Sequence, residues 1–203
     1  MQSAEIELKF PVPDPTALQS RLPALGFDLV TPRTFESNTL YDTPDRTLRS
    51  SHQILRIRQY GPLWVLTHKR IPDGVSTAEE ESARYKTRIE TETTVADGVA
   101  LAEVFRQMGY VPAFRYEKYR TEWSFPGLGA PAHLVIDETP IGNFAELEGP
   151  PDWIDRTVAA LRIDPASCIT LSYGKLFLNW KEQNQSPAEN LTFDEIPVPA
   201  AAL

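Results

Sequence analysis

The sequence predicts an α+β fold: an eight-stranded antiparallel β-barrel, a tunnel, with helices packed outside it. Three observations predict it. Eight segments alternate apolar and polar residues at a spacing of two, the period of a half-buried strand. Turn signals sit between neighbouring segments, so successive strands pair as hairpins. Helical segments are inserted between the strands, and strand number and amphipathicity together suit a closed or nearly closed barrel.

The first strand is 4–10, with Glu5, Glu7 and Lys9 on one face and Ile6, Leu8 and Phe10 on the other. Asp14-Pro15 opens a helix with a cap residue and a proline at its first position. Leu18, Leu22 and Leu25 continue it at helical spacing, Pro23 predicts a kink or early end, and Gly26 stops it. Strand 34–41 is closed by the turn signal Asp42-Thr43-Pro44-Asp45. Strands 53–60 and 63–70 form a hairpin around Gly61-Pro62. Residues 71–83 read as a polar, acidic, mobile loop. Strand 84–94 carries Arg84, Lys86, Arg88, Glu90 and Glu92 on one face.

Asp97 caps a helix that ends at Met108 before Gly109. Strand 115–125 places Lys118, Arg120 and Glu122 on one face, and 126–131 is a loop. Strands 133–138 and 143–148 flank Pro140-Ile141-Gly142. Residues 150–163 form a helix with Trp153, Val158 and Leu161 toward the core, and Ser172 caps a last helix through Trp180. One domain is expected over 1–182, followed by a Pro- and Ala-rich C-terminal tail over 183–203, disordered or docked on a neighbour.

Composition narrows the function. Hydrophobic residues make up 41% of the 203, enough for a core without disulfides. The formal net charge of -8 argues against general attraction to nucleic acid or anionic lipid, although the sum hides local arrangement. A lone cysteine, Cys168, and three histidines leave little for Cys-His catalysis or a zinc site. The charged N-terminus has no signal-peptide core and no run approaches a membrane span, so a cytoplasmic location is expected. There is no GxxxxGK[ST] loop, no GxSxG and no HExxH.

The feature that needs explaining is the polar faces of the strands. They carry full charges of both signs: Glu5, Glu7, Glu90, Glu92, Asp137, Glu146 and Glu148 against Lys9, Arg56, Arg58, Lys69, Lys86, Arg88, Lys118 and Arg120. For any single strand a solvated outer face with cross-strand pairs is the simpler reading. If the sheet closes, the charged faces line a lumen. Bases there bind a polyanion strongly, because water screens them less. Carboxylates in the same lumen repel that anion unless a divalent cation lies between, and oxygen-only ligands suit Mg²⁺ or Mn²⁺.

These residues resemble the CYTH superfamily, the triphosphate tunnel metalloenzymes that include class IV adenylyl cyclases and thiamine triphosphatases. Glu5-Ile6-Glu7-Leu8-Lys9 is similar to its ExExK opening. Leu55-Arg56-Ile57-Arg58, Leu66-Thr67-His68-Lys69, Arg88-Ile89-Glu90 and Lys118-Tyr119-Arg120 follow in the family's order. Val135-Ile136-Asp137, Glu146-Leu147-Glu148 and Ser172-Tyr173-Gly174-Lys175-Leu176 complete a resemblance running from Glu5 to about Lys181. It implies that Lys9, Arg56, Arg58, Lys69, Lys118, Arg120 and Lys175 bind substrate phosphates. It implies that Glu5, Glu7, Asp137, Glu146 and Glu148 hold Mg²⁺ or Mn²⁺, that Glu5, Glu7 and Lys9 are catalytic, and that Arg88 and Glu90 buttress the wall. No extension like that of members fused to a polyphosphate-associated domain is seen, so a stand-alone unit is expected.

The expected function is metal-dependent hydrolysis of a small-molecule triphosphate, inorganic or nucleoside, with no nucleic-acid or membrane partner and with a homodimer left open. A class IV adenylyl cyclase, making cyclic AMP and pyrophosphate from ATP, needs almost the same residues and is the nearest alternative. Thiamine triphosphate would call for an aromatic contact, for which Tyr60, Trp64 and Tyr116 are available. A non-catalytic polyphosphate- or nucleotide-binding module would keep the bases but could lose the acids. A structural barrel with a solvated charged face ranks last.

Overall fold

A computed structural model describes residues 2–198. Among them, eight strands close into an antiparallel barrel: β1 (Gln2–Pro11), β2 (Asp28–Asp42), β3 (Ile54–Tyr60), β4 (Leu63–Arg70), β5 (Lys86–Val95), β6 (Val111–Ser124), β7 (His133–Thr139) and β8 (Gly142–Glu148). Around the barrel they run β1-β5-β4-β3-β2-β6-β7-β8, with β8 returning to β1. Six helices are interspersed: α1 (Pro15–Arg21), α2 (Thr47–Ser50), α3 (Thr77–Ser82), α4 (Gly98–Gln107), α5 (Pro151–Leu161) and α6 (Tyr173–Asn184). None is long and apolar enough to cross a membrane.

Strand alternation fixes what faces where. In the register Glu5 pairs with Arg88, Glu7 with Lys86 and with Glu148, Lys9 with Glu146, and Arg120 with Asp137. Opposed residues share a face, so the charged positions of all these strands meet on one side, the lumen. Much of the opposite face is apolar and covered by helices. Leu8, Phe10, Leu134, Ile136 and Leu147 lie under α1 and α5, against Leu18, Leu22, Trp153, Ile154 and Leu161. Across the barrel, Ile57, Leu55, Trp64 and Leu66 pack beneath Phe105 and Leu101 of α4. A Cβ on Gly98, at the start of α4, would meet the Trp64 ring at 2.1 Å, so glycine there sets how closely the helix approaches. Trp64 therefore points outward and is not an aromatic contact for a bound substrate.

Several expected boundaries move for local reasons. β2 begins at Asp28 and β6 at Val111, earlier than the expected 34 and 115. Both extensions contain a proline, which donates nothing to a ladder, and the β2–β6 register shifts around Thr31, Thr34 and Tyr41. Pro23 acts as expected: α1 stops at Arg21, and a short 3₁₀ turn over Pro23–Leu25 ends at Gly26 with φ 88°. The loop expected over 71–83 instead contains α3, started by a capping box in which Ser76 N donates to Glu79 Oε2 and Glu79 N to Ser76 Oγ. Arg84 falls outside β5 and pairs with Asp155 on α5.

Residues beyond α6 are packed as far as they are described. Leu191 bridges in parallel to Tyr116, its N–H donating to Arg115 O and its carbonyl accepting from Glu117 N. Ala188, Leu191 and Ile196 are buried with Phe177 and Tyr173 of α6. The reason lies in the sheet: β7 pairs with β6 only from Tyr119 onward, so the edge at 115–117 is left for this segment. Of the expected tail 183–203, residues 199–203 lie outside the described residues.

Candidate active site

The lumen encloses a cavity of about 410 Å³. That is within the range of small-molecule sites. Among the described residues, seven carboxylates and seven lysines or arginines line it. They divide by strand. Arg56 and Arg58 from β3 and Lys118 and Arg120 from β6 form a cationic wall. Glu5 and Glu7 of β1, Glu90 of β5 and Glu146 and Glu148 of β8 form an acidic one, into which Lys9, Lys69 and Lys86 reach.

Nearly every charge is paired. Lys69 donates to Glu5 and lies 3.3 Å from Glu90, while Lys86 donates to Glu7. Lys9 lies 3.0 Å from Glu146 and donates to the Leu171 carbonyl. Arg58 Nη2 donates to Glu92 Oε1 at 2.9 Å. Arg56 donates to the Tyr116 hydroxyl and to Thr67 Oγ1, and Thr67 in turn donates to Glu92.

Burial and these partners set the protonation states. Burial alone would raise Glu7 and Glu146, but Lys86, Lys9 and Lys69 together lower Glu7, and Lys9, Arg120 and Lys118 hold Glu146 well below the usual carboxylate range. Burial likewise opposes the charge on Lys69, and Glu5, Glu90 and Glu7 together overcome it, raising the lysine above its ordinary value. Glu148 goes the other way. Burial and then the charges of Glu5, Glu90 and Glu7 push it up to about 7, against Lys69. Burial first, then Glu5 and Glu92, raise Glu90 against Lys69 and Arg56. The acidic wall is therefore short of positive charge around Glu148.

Ten of the twelve expected site residues line this one cavity: Glu5, Glu7, Lys9, Arg56, Arg58, Lys69, Lys118, Arg120, Glu146 and Glu148. Two do not. Lys175 is exposed on the first turn of α6 and is not among the lining residues. Asp137 is completely buried behind the cationic wall. Its Oδ2 accepts from Lys118 Nζ at 2.9 Å, Arg120 Nη2 at 2.7 Å and the Tyr173 hydroxyl at 2.6 Å, while Oδ1 accepts from Arg120 Nε. Both oxygens are used, so Asp137 anchors cations.

Other residues at the site carried no role in the sequence reading. Tyr173 enters the lumen from α6, with Lys9 Nζ 4.3 Å and Lys118 Nζ 4.9 Å from its ring centroid. Glu36 and Asn38 of β2, both fully buried, sit behind the cationic wall without lining the cavity, whereas Lys86 and Glu92 line it. Glu36 and Asn38 sit two apart in the expected strand 34–41, so period two was a signal for them.

The donor chemistry of the acidic wall suits a hard divalent cation. The carboxylates around Glu148 offer oxygen donors only, and the elevated pKa of Glu148 marks an uncompensated negative site. Glu5 and Glu7 are held by lysines, and among the described residues no three Asp, Glu, His or Cys are grouped closely enough to hold a metal ion.

The fold is shared with solved structures. A candidate adenylate cyclase from Vibrio parahaemolyticus is 21% identical with a TM-score of 0.68, over 86% of this chain and 97% of that one. A protein of Pyrococcus horikoshii OT3 is 21% identical with a TM-score of 0.63, over 87% and 99%. A candidate adenylyl cyclase from Hippeastrum, described as revealing a dominant triphosphatase activity, is 21% identical with a TM-score of 0.59, over 89% and 96%. At such identities the likeness concerns the fold alone. No curated protein sequence matches the chain. The CYTH domain model does match, over residues 3–160 and so over more than half of the sequence, and the chain belongs to the CYTH family.

Proposed function

We propose that this chain is a divalent-metal-dependent hydrolase of small triphosphates, inorganic triphosphate or a nucleoside triphosphate. Members of its family are enzymes of triphosphatase and adenylyl cyclase type. One observation carries the reading. The lumen balances seven bases with seven acids, so a bare polyanion entering it would find no net positive charge. A polyanion that brings cations with it restores the balance.

The cationic wall supplies positioning. Arg56, Arg58 and Arg120 would offer guanidinium N–H donors to phosphate oxygens, and Lys118, Lys9 and Lys69 would add point charges. Asp137 holds Lys118 and Arg120 so that they meet the phosphates already oriented. Glu5, Glu7, Glu146 and Glu148 would hold Mg²⁺ or Mn²⁺, which when bound neutralises charge developing on the phosphoryl oxygens. Glu5 and Glu7 orient the attacking water from the acidic wall, and Lys9, beside Glu146, offsets charge on the reacting phosphate. Water adds to a terminal phosphorus, the bridging P–O bond breaks, and orthophosphate leaves together with pyrophosphate from inorganic triphosphate or with the nucleoside diphosphate from a nucleoside triphosphate.

Adenylyl cyclase activity is the second reading, and one observation favours it. At one mouth of the cavity Leu40, Ile54 and Phe114 offer apolar surface beside Tyr116 and Tyr173, which inorganic triphosphate does not need. Product analysis separates the two. Purified protein is incubated with triphosphate, ATP or thiamine triphosphate and each divalent ion, and orthophosphate, pyrophosphate and cyclic AMP are measured. Metal-dependent orthophosphate release is the expected result. Cyclic AMP with pyrophosphate and no orthophosphate would replace the first reading with the second.

A further inference from the structure

Glu36 lies behind the cationic wall rather than in it. Its side chain is fully buried in β2 and does not line the cavity. Three of the wall's cations surround it: Lys118 Nζ at 3.5 Å, Arg58 Nη1 at 3.8 Å and Arg120 Nε at 3.9 Å. These separations are those of ion pairs, not hydrogen bonds. Its Oε1 accepts from Asn38 Nδ2 at 2.8 Å, while Oε2 has no hydrogen-bond partner. The side-chain Oδ1 of Asn38, which lies across β2–β3 from Arg58, is unpartnered as well.

As a hydrogen-bonded anchor this arrangement is loose. One carboxylate oxygen is bare, and the surrounding cations hold the group by charge at 3.5–3.9 Å and not by hydrogen bonds. Asp137, on the same wall, shows what a well-bonded anchor looks like: four hydrogen bonds of 2.6–2.9 Å. Glu36 differs in touching three cations loosely instead of gripping two tightly. Its effect on them is mainly charge. Arg58, Lys118 and Arg120 converge on one region of the lumen, and one negative charge behind all three lowers the potential that a phosphate meets there.

We propose that Glu36 is a positioning residue that tempers the phosphate affinity of the cationic wall, weakening the hold on product so that it can leave. This rests on the reading of the tunnel as a phosphate-releasing site. A wall with its full positive charge would bind pyrophosphate as tightly as substrate, and release would limit turnover. Removing the charge without changing the shape should tighten binding and slow turnover together, a split that loss of folding does not produce.

The test compares wild type, Glu36→Gln, Glu36→Asp and Asn38→Asp, each as the full chain. Calorimetry with Mg²⁺ gives the affinity for pyrophosphate and for inorganic triphosphate, and phosphate release gives KM and kcat. Glu36→Gln should bind pyrophosphate about tenfold more tightly or better, the scale on which one charge within about 4–6 Å shifts an ionic equilibrium. Its KM and kcat should both fall. Glu36→Asp, which keeps the charge, should return toward wild type. Asn38→Asp, which adds a second charge beside the first, should bind more weakly. Unchanged or weaker pyrophosphate binding in Glu36→Gln, or a lower kcat at unchanged KM, overturns the proposal. Should Glu36→Gln not fold, an unchanged affinity in Asn38→Asp overturns it alone. A wild-type protein that binds triphosphate without hydrolysing it sinks the hydrolase reading and leaves the affinity comparison standing. One that binds neither anion sinks both.

Discussion

Replacing Asp137 by asparagine separates an anchor from a metal ligand. The carboxylate neutralises Lys118 and Arg120 through contacts of 2.7–2.9 Å and accepts the Tyr173 hydroxyl at 2.6 Å, and its side chain has no exposed surface. Asparagine preserves the shape, but it removes the charge and turns an NH₂ toward one of these donors. Breaking a buried ion pair from one side costs about 3–5 kcal/mol. With an unfolding entropy of roughly 2.1 cal/mol/K per residue, a chain of 203 residues should melt about 7–12 °C lower. Thermal unfolding without divalent ions is the assay. A loss below about 2 °C there, joined to loss of the melting-temperature rise that Mg²⁺ or Mn²⁺ gives the wild type, would refute the anchor and return Asp137 to the metal set.

Three further outcomes follow from the same contacts. Glu148→Gln removes a carboxylate crowded by Glu5, Glu90 and Glu7; without divalent ions at pH 8 it should melt about 2–4 °C higher, the effect of about 1 kcal/mol in a domain of this size, and a lower melting temperature would contradict the crowding. Gly98→Ala should destabilise by about 1–3 kcal/mol in denaturant unfolding despite alanine's better helix propensity, because the Trp64 ring cannot yield without disturbing α4; a gain in stability would contradict this. Glu36 carries the pH dependence: burial alone would raise it, but Lys118, Arg120, Arg58 and Arg56 hold it far below its ordinary 4.5. The unfolded chain takes up this proton near 4.5 and the folded chain only well below, so the stabilisation is complete above that value and is lost as pH falls beneath it. Between pH 3 and 6 the melting temperature of Glu36→Gln should therefore fall less steeply than that of wild type, and parallel curves would contradict the assignment.

Period-two alternation was sufficient to predict the barrel and most of its lining, because a closed sheet turns every alternating charge inward at once. Glu5, Lys9, Arg56, Arg120 and Glu146 needed no knowledge of pairing to be placed on a common face. What alternation lacks is depth. Asp137 and Glu146 look equivalent on their strands, yet one lies behind the wall and the other in the cavity. Which partners surround a carboxylate depends on β6–β7 and β8–β1 register, which the local sequence does not encode. Lys175 fails for a related reason: helical spacing puts Tyr173 into the lumen, and the side chain two positions on then faces elsewhere. The prolines at 32 and 112 hid the ends of β2 and β6, since a residue with no N–H is read as a break where the structure tolerates it at irregular pairing. The packed segment 185–198 has no period, because it adds onto an edge and buries single residues such as Leu191 rather than a face.

The charge balance of the lumen is most directly tested by titrating inorganic triphosphate into the wild-type protein in a calorimeter, once with Mg²⁺ and once with a chelator. Seven bases offset by seven acids should bind the anion strongly only with the cation present. Equal affinity in the two titrations would contradict it.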